Sequence, residues 1–523
     1  MKPKVVVAEK IAQAGIESLE EEFDVVLAIG MEREALLPLL SDAVGLVVRS
    51  ATDVDLEMLE AGPDLQVIGR AGIGVDNIDL DEATSRGILV VNAPNANTIS
   101  AAEHTMALLL SQARNVAAAD ASLRSGAWER GRFQGVELHG KVLGVIGLGR
   151  IGTLVAQRAL SFGMELRAYD PFVAEERVRR LGVEPVELEV LLSEADFITV
   201  HLPLTDETRG LLDADGLAQA KPGVRIVNTS RGGIIDEQAL ADAVKAGRVA
   251  GAALDVFAAE PMTESPLFDL PEVVVTPHLG ASTTEAQDKA GTDVADAVAA
   301  ALRGELVLSA VNLDLGRGVT DEVGRHLLLA EELGKVFMSA AGQMPEQLRI
   351  SVEGRLAGEP VQPLGLAVTK GLVSAATDEP VSFVNAPTLA ERWGLGLSFE
   401  MTEQSRDYVS LVRLSTTDEN GEEVAVAGTI TQKGMVLTEM FGHHFELPLG
   451  DHLLVARNDD VPGVIGRIGT FVGDLGINIA DMVVGRPDQG TTAVMGLVLD
   501  RPIPPEELTR LIALDGIVTA RSI

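Results

Sequence analysis

The stretch KVLGVIGLGRIG, residues 141–152, decides how the chain folds. Its apolar start predicts a buried strand, and Gly147, Gly149 and Gly152 follow in the spacing G-x-G-x-x-G just before a predicted helix. The first glycine permits a tight turn, the second lets the backbone approach a pyrophosphate, and the third lets the helix pack on the strand. The phosphates would sit on the helix N-terminus, where free N–H groups favour an anion. The stretch therefore predicts a dinucleotide-binding turn.

An acidic residue stands where such a turn requires one. Asp170 ends the next predicted strand, 18 residues beyond Gly152, where a carboxylate can accept hydrogen bonds from both ribose hydroxyls. The same carboxylate repels a 2′-phosphate, which favours NAD over NADP. A glycine turn beside a solvated aspartate is the alternative interpretation, but strand, glycines, helix and acid all agree with a nucleotide site. We therefore predict NAD as the cofactor.

Short apolar runs alternate with helical stretches on both sides of this turn. Six predicted strands begin with the turn itself, at 141–146, 165–169, 197–201, 224–228, 250–255 and 273–276. Five more precede it, at 4–8, 24–28, 44–50, 65–69 and 88–91. Such alternation is typical of parallel α/β sheets. Residues 97–115 predict a long helix that Thr98 or Ser100 could cap, and residues 284–304 predict a helix leading away from the second set of strands.

From about residue 316 the pattern changes from α/β to α+β. A predicted helix leads into apolar runs that we interpret as strands, among them QLRISVEG at 347–354 and AVTKGLVS at 367–374. The last segment follows the order β-α-β-β-α-β, which is ferredoxin-like. We predict an α/β protein with the following domains: a doubly wound (Rossmann) nucleotide domain, 99–284, inserted in a flavodoxin-like substrate domain, 1–98 with 285–312, then an α+β intervening domain, 313–450, and a ferredoxin-like domain, 451–523.

The composition excludes several classes of function. The chain of 523 residues contains no cysteine, which rules out disulfides, thiolate nucleophiles and Cys-ligated metals and fits a reducing cytoplasm. Its 78 acidic and 42 basic residues give a net charge of −36, which argues against a nucleic-acid or anionic-membrane partner. The sequence contains no uninterrupted run of roughly 18 apolar residues, which is the length needed to span a membrane. A small anionic substrate remains compatible, because a local group of arginines can override the mean charge.

Three polar residues of the second α/β unit stand after predicted strands. Arg231 lies in NTSRGG, Glu260 in DVFAAEP and His278 in TPHLG. The carboxyl ends of parallel strands meet at one crevice, so these side chains are expected to converge. Removing a hydride from an alcohol carbon requires a base for the hydroxyl proton, which histidine supplies near neutral pH without a metal. A carboxylate can orient that histidine, and arginine can bind a carboxylate. Taken singly, each could be an ordinary loop or surface residue.

The first α/β unit offers a second set of anion-binding groups. The glycine turn RAGIGVDNID, residues 70–79, can aim the N–H groups of Ile73 and Gly74 at a carboxylate. Arg49 ends a predicted strand and Arg132 lies in WERGRF, so both could bind a further anion of the substrate, such as a phosphate. Solvated surface arginines are an equally good interpretation of the same residues.

These motifs together resemble the D-isomer-specific 2-hydroxyacid dehydrogenase family. The resemblance spans about residues 1–312 and rests on GLGRIG from Gly147, HLPLT from His201, NTSRGG from Asn228, DVFAAEP from Asp255 and TPHLG from Thr276. It implies that Arg231 binds the substrate, that Glu260 pairs with the histidine and that His278 is the acid/base. It also implies NAD contacts at Gly147, Gly149, Arg150, Ile151, Gly152, Asp170, Thr229, Ser230, Arg231, Asp255 and Gly280.

The C-terminal segment resembles the ACT regulatory domain, through DVPGVIGRIG from Asp460 and GINI from Gly476. ACT domains bind small amino acids, and the resemblance implies an effector site at Asn458, Asp460 and Asn478. With the intervening domain, the chain is similar to long members of the family that oxidise 3-phospho-D-glycerate to 3-phosphohydroxypyruvate with NAD, the first step of L-serine biosynthesis. That similarity implies feedback inhibition by L-serine and a homotetramer. Asn458 and Asp459 depart from the apolar character expected in this loop, which leaves weak serine binding or another effector open.

Other functions remain compatible with the sequence. The substrate could be a different D-2-hydroxyacid, such as glycerate or lactate, or the enzyme could also reduce 2-oxoglutarate. The chain could instead be an NAD-sensing corepressor, because one fold supports many functions. The Arg231, Glu260 and His278 set, the ACT-like segment and the negative net charge favour the enzyme.

Overall fold

Four β-sheets organise the part of the chain that the structure describes. This computed structural model describes residues 2–313, 315, 319–377, 379, 381–405, 407–417, 421–432, 434–450, 452–486 and 492–523. Two of the sheets are parallel, one is mixed and one is antiparallel. None of the described helices is long and apolar enough to cross a bilayer. The predicted α/β class, followed by two α+β units, is confirmed.

The first unit contains a five-stranded sheet. Its elements are β1 Lys4–Val7, α1 Gln13–Glu22, β2 Asp24–Leu27, α2 Arg33–Leu36, β3 Ala43–Val48, α3 Leu56–Ala61, β4 Val67–Arg70, α4 Leu80–Ser85 and β5 Leu89–Asn92. The parallel strands lie in the order β2-β1-β3-β4-β5, which is the predicted flavodoxin-like order. β3 is buried on both faces, because helices cover both sides of a parallel sheet.

The second unit is doubly wound. Its elements are α5 Thr98–Ala113, α6 Val116–Arg124, β6 Val142–Ile146, α7 Arg150–Ser161, β7 Glu165–Tyr169, α8 Glu175–Arg180, β8 Glu184–Pro185, α9 Leu188–Glu194, β9 Phe197–Val200, α10 Ala214–Gln219, β10 Val224–Asn228, α11 Glu237–Lys245, β11 Val249–Leu254, β12 Val273–Val275 and α12 Thr284–Leu302. The strand order is β12-β11-β10-β9-β6-β7-β8, which confirms the predicted Rossmann topology. The edge strand β8 was not predicted, because two residues show no apolar period.

The chain crosses between the two parallel sheets at the beginnings of α5 and α12. Ser100 Oγ on α5 lies 2.7 Å from the Oγ1 of Thr283, the N-cap of α12. The prediction that Thr98 or Ser100 caps α5 is wrong, because both residues lie inside the helix. α12 then packs against α1 of the first unit, where glycines make room: a Cβ on Gly15 would lie 2.5 Å from Gly291 O. The two parallel sheets are therefore joined by a double crossing.

The third unit places two long helices on a mixed sheet. Its elements are α13 Asp321–Ala341, β13 Gln347–Gly354, α14 Gln362–Ala376, α15 Ala386–Arg392, β14 Gly396–Thr402, β15 Ser410–Thr417, β16 Glu423–Thr431, β17 Gly434–Met440 and β18 His443–Pro448. The predicted strand at 367–374 is wrong, since these residues belong to α14. α14 packs so closely on α13 that a Cβ on Gly371 would collide with Glu331 O. A helix buried in this way carries a continuous apolar run, which periodicity cannot distinguish from a buried strand.

The fourth unit is the small antiparallel sheet at the C-terminus. Its elements are β19 Leu453–Asp459, α16 Val464–Asp474, β20 Ile479–Gly485, β21 Thr492–Leu499, α17 Pro505–Ile512 and β22 Ile517–Ser522. The strand order β20-β21-β19-β22 confirms the ferredoxin-like prediction and leaves β20 at an edge. The unit is tied to the third by Arg521, whose Nε donates to Ser339 O at 2.8 Å.

Candidate active site

A cavity of about 810 Å³ lies where the carboxyl ends of the two parallel sheets face each other. Arg49 follows β3 and Arg70 ends β4 on the side of the first sheet. Ser230 and Arg231 follow β10, and His278 follows β12, on the side of the second sheet. Ligands of α/β proteins bind beyond the carboxyl ends of the strands. This cavity is therefore the candidate active site.

His278 and Glu260 form an ionisable pair in the cavity wall. His278 Nδ1 lies 2.6 Å from Glu260 Oε2, and Glu260 Oε1 accepts a hydrogen bond from the Phe257 N–H at 2.9 Å. The bond to Glu260 raises the pKa of His278 above its ordinary value, although burial opposes it. Burial alone would raise the pKa of Glu260, but the hydrogen bonds from His278 and Phe257 bring it below its ordinary value. An imidazole held by a carboxylate at one nitrogen can exchange a proton at the other.

The loop at 276–280 sets the direction of His278. The φ of His278 is +54°, in the left-handed region, so the surrounding contacts must hold the backbone there. Its N–H donates to the backbone oxygen of Asp255 at 2.8 Å. The carboxylate of Asp255 accepts from the Leu279 and Gly280 N–H groups at 2.7 and 2.8 Å. Asp255 is fully buried and is not among the described residues that line the cavity, so its predicted NAD contact stays a prediction.

Arg231 is anchored through two of its nitrogens. Nη1 donates to Ser230 O at 2.8 Å, and Nε lies 3.3 Å from Asp76 Oδ2. Gly74 makes room for the guanidinium, because a Cβ at that position would collide with Nη2. A guanidinium fixed in this way presents its remaining N–H groups in a planar arrangement that matches a carboxylate.

Arg70 is a cavity residue that the motifs did not reveal. Its Nε is buried and has no hydrogen-bond partner among the described residues, and a Cβ on Gly72 would collide with its guanidinium. Burial is the main cause that lowers the pKa of Arg70, and the charges of Arg231 and Arg49 act in the same direction. All three arginines line the same cavity. The signal was present in the sequence, since Arg70 ends a parallel strand just as Arg49 follows one.

The glycine turn after β6 closes tightly at one end and is open at the other. Gly147 has a φ of +91°, and a Cβ on Gly152 would collide with the oxygen of Gly147. A Cβ on Gly149, the N-cap of α7, would meet no described atom within 4 Å. Asp170 Oδ2 accepts a hydrogen bond from the Leu148 N–H at 2.8 Å, which holds the acid against the turn. These residues fit a dinucleotide, with phosphate at the helix N-terminus and ribose at the acid.

The other predicted nucleotide residues occupy two places. Four of these predicted nucleotide residues line the cavity: Ile151, Thr229, Ser230 and Gly280. Arg150 instead reaches the first unit, where its Nη1 donates to Pro94 O at 3.2 Å. The nucleotide turn is thus linked to the unit that supplies the arginines.

The predicted substrate residues also divide into two groups. Arg49, Ile73 and Gly74 line the cavity. Arg132 is absent from the described part of the cavity wall; its Nη1 lies 3.1 Å from Glu129 Oε2 in an exposed segment. A substrate contact by Arg132 therefore stays a prediction, and the geometry of a single chain does not support it.

The predicted effector residues do not form one site within the described part of a single chain. Asp460 follows β19 and its Oδ1 lies 3.2 Å from an Arg486 nitrogen, whereas Asn478 precedes β20 and is exposed. Thr492, at one end of β21, pairs with Asp459 of β19. Leu499, at the other end of β21, pairs with Ile479 of β20. Asp460 and Asn478 thus lie at opposite ends of the sheet, separated by about 24 Å of strand. The third residue, Asn458, is buried and donates to a neighbouring backbone oxygen at 2.8 Å.

Known families match three consecutive parts of the chain. Residues 106–280 match the NAD-binding domain of D-isomer specific 2-hydroxyacid dehydrogenases, residues 322–438 the D-3-phosphoglycerate dehydrogenase intervening domain, and residues 452–516 the ACT domain. The structure of D-lactate dehydrogenase from Aquifex aeolicus, complexed with NAD and lactic acid, is similar: the sequences are 28% identical, and the TM-score is 0.51 over 58% of this chain and 96% of that one. The chain belongs to the D-isomer-specific 2-hydroxyacid dehydrogenase family. It is an NAD-dependent oxidoreductase, and the predicted cofactor is confirmed.

The relatives that match the whole length define a narrower group. The D-3-phosphoglycerate dehydrogenase of Mycobacterium leprae is 47% identical over 98% of this chain and 97% of its own. That of Synechocystis sp. is 41% identical over 99% of this chain and 94% of its own. Both of these full-length relatives are D-3-phosphoglycerate dehydrogenases, and the resemblance seen in the motifs is confirmed.

Proposed function

We propose that this enzyme oxidises 3-phospho-D-glycerate to 3-phosphohydroxypyruvate with NAD, the first step of L-serine biosynthesis. One observation carries the proposal: a single cavity holds the guanidinium groups of Arg49, Arg70 and Arg231 beside the His278–Glu260 pair. The substrate carries an anion at each end and a secondary alcohol between them. A cavity with this charge and this acid/base pair suits all three features.

The residues of the pair handle the proton. Glu260 holds Nδ1 of His278, so Nε2 is the nitrogen that takes the C2 hydroxyl proton while the C2–O bond becomes a carbonyl. Glu260 then stabilises the imidazolium by its negative charge. When bound, NAD supplies the acceptor for the hydride that leaves C2. In the reverse direction His278 returns its proton to the carbonyl oxygen.

The arginines divide between the two anionic ends. Arg231 and His278 follow β10 and β12 of the second sheet and line the same side of the cavity. We assign the substrate carboxylate to Arg231 for this reason. We assign the phosphate to Arg49 and Arg70, because both line the cavity from the side of the first sheet, across from Arg231.

The test compares kcat/KM for 3-phospho-D-glycerate and for D-glycerate. We expect the wild type to prefer the phosphorylated acid by about a hundredfold or more, because the analogue leaves buried donors unpaired. Arg70→Gln should reduce this preference about tenfold or more, since it removes a charge that the phosphate uses. The matched control is Arg33→Gln, which removes the same charge from a surface site paired with Asp55 and Glu57 and should leave the preference unchanged.

Two results would contradict the proposal. Equal kcat/KM for the two acids would disprove phosphate selectivity, and glycerate, lactate or 2-oxoglutarate would then be sought as the substrate in the same assay. NADH binding without turnover of any of these acids would contradict catalysis itself and favour an NAD-sensing protein.

We further propose L-serine as the effector and a cytoplasmic homotetramer as the assembly. Strand β20 lies at the edge of its sheet among the strands that the structure describes, where a strand of a second copy could pair with it. If two β20 strands pair antiparallel about a two-fold axis, opposite ends of the two sheets meet. Asp460 and Asn458 of one chain then approach Asn478 of the partner subunit, so that the carboxylate can bind the amino group of serine and the amides can bind its carboxylate and hydroxyl. The cysteine-free sequence fits the cytoplasm.

A further inference from the structure

A further ionisable side chain, His104, lies behind the loop that carries His278. His104, on α5, is outside the cavity wall in the part of the chain that the structure describes. Its Nε2 lies 3.1 Å from Asp255 Oδ1 and 3.1 Å from Thr276 Oγ1. The His104 side chain is 20% exposed and the Asp255 side chain is fully buried. The dehydrogenase motifs assign no role to this histidine.

The contacts determine which atoms carry the hydrogens. Burial alone would raise the pKa of Asp255, but its hydrogen bonds bring the pKa below the ordinary value, so the carboxylate is ionised and can only accept. The hydroxyl of Thr276 donates to Asp255 Oδ1 at 2.6 Å, which leaves the hydroxyl oxygen as an acceptor. His104 Nε2 therefore carries a hydrogen and donates toward both groups.

The carboxylate of Asp255 also holds the loop at 276–280, which carries His278, in place. Its other donors are the Thr276 hydroxyl and the N–H groups of Leu279 and Gly280, all of which belong to the loop itself. His104 is the donor that comes from a different element, α5. A buried carboxylate keeps its position only while donors satisfy it. The hydrogen bond from His104 thus anchors the loop to a helix outside it.

We propose that His104 is a positioning residue for His278 and acts through Asp255. The inference rests on the proposed function, in which His278 is the acid/base. α5 also contacts the nucleotide side of the cavity, where Thr105 Oγ1 lies 2.6 Å from Thr229 Oγ1. One helix therefore fixes the loop that carries the base relative to the residues that line the cofactor side.

The test uses two substitutions of His104 in the full-length enzyme. His104→Leu fills a similar volume without a donor, and His104→Gln retains an N–H that can reach Asp255. We expect His104→Leu to lower kcat about ten- to a hundredfold, because a small misplacement of a reacting group is costly. KM for NAD should stay within about twofold of wild type, and His104→Gln should recover most of the lost kcat. Glu103→Gln, at the exposed neighbouring position, is the control and should leave kcat unchanged.

The pH profile supplies a readout that a loss of stability would not change. Oxidation requires neutral His278, so activity falls as the pH drops through the pKa of His278, which Glu260 raises. A loosened loop weakens the contact with Glu260, and the acidic limb should move to lower pH in His104→Leu. The limb should stay in place in His104→Gln.

Several outcomes would overturn the proposal. A wild-type kcat and an unmoved acidic limb in His104→Leu would do so, and so would equal losses in both variants with the same drop in Tm, since His104 would then be a packing residue. Thr276→Val removes a second donor to Asp255. Because both substitutions act on the same carboxylate, kcat of the double variant, His104→Leu with Thr276→Val, should fall by less than the product of the two single losses. If the two losses of kcat multiply in the double variant, the two residues act independently, which would contradict an action of both through Asp255. His278→Asn tests the proposed function separately, because near-wild-type turnover there would remove the acid/base role whatever the His104 variants show.

Discussion

The cleft between the parallel sheets and the C-terminal sheet both carry polar residues at strand ends, but they differ in what one chain can assemble. In the cleft, His278 Nδ1 lies 2.6 Å from Glu260 Oε2, and three arginines line the same cavity. In the C-terminal sheet, Asp460 and Asn478 lie at opposite ends. The cleft residues therefore meet within one chain, whereas the proposed effector residues Asp460 and Asn478 lie apart in one chain and would meet only across a contact between two copies.

Strand direction explains this difference. The strands of a parallel sheet all end at the same edge, so residues far apart in sequence meet there. β19 and β20 both pair antiparallel with β21, and they therefore run in the same direction. Asp460 follows the end of one, and Asn478 precedes the start of the other, which separates them by the length of the sheet. Position after a strand thus predicts convergence only when the compared residues occupy equivalent strand ends.

The largest effect is expected at the centre of the cleft. His278→Asn removes the proton acceptor and should lower kcat about a thousandfold, while NADH binding, measured by fluorescence titration, stays near wild type. The control is His444→Asn, which changes an exposed histidine of β18. Turnover near wild type in His278→Asn would contradict the acid/base role of His278 in this cleft.

A smaller effect is expected when the partner of His278 loses its charge. Glu260→Gln should lower kcat about tenfold, because the imidazolium that forms during oxidation is less stabilised. The pKa of His278, which Glu260 raises, should fall toward its ordinary value, so the acidic limb of oxidation moves to lower pH. Glu264→Gln makes the same charge change at a nearby exposed residue. An acidic limb that moves equally in both variants would show a general field effect and not a direct contact.

The smallest effect is expected in the C-terminal sheet. Asp460→Asn should raise the serine concentration for half-inhibition about fivefold or more, since it weakens a charge-assisted hydrogen bond to the amino group. Asp459→Asn, the same change at the preceding exposed residue, is the control. Inhibition is expressed relative to the uninhibited rate of each variant.

Mixed assemblies sharpen this last test. Chains that carry Asp460→Asn are combined with chains that carry Asn478→Ala. A site shared between two copies gives mixed pairs in which one of the two sites is intact, so part of the serine sensitivity returns. A site within one chain gives no intact site in any pair, and complete insensitivity of the mixture would therefore contradict the shared site.

Much of the fold could be predicted because its signals are local. The glycine turn at 147–152 and the alternation of apolar runs with helices define both parallel sheets, and the structure confirms them. The predicted strand at 367–374 failed because α14 is buried on most of its surface, so its apolar run has no helical period. The domain boundaries stay predictions.

The site was predictable in position more than in detail. The rule for strand ends led to Arg231, Glu260 and His278, and the structure brings all three to one cavity, although their roles stay predictions. Arg70 was missed, because the direction of a side chain depends on packing that sequence position does not reveal.

The double crossing between the parallel sheets has a consequence for the history of the chain. Ser100 and Thr283 touch, so the nucleotide-binding segment leaves and re-enters the first unit at one place. A segment whose ends meet can be acquired, exchanged or deleted by recombination without separating the strands of its host. The same geometry would allow the nucleotide-binding segment to be inserted into a loop of another protein. In the original chain, a short linker could then join the two ends of the first unit.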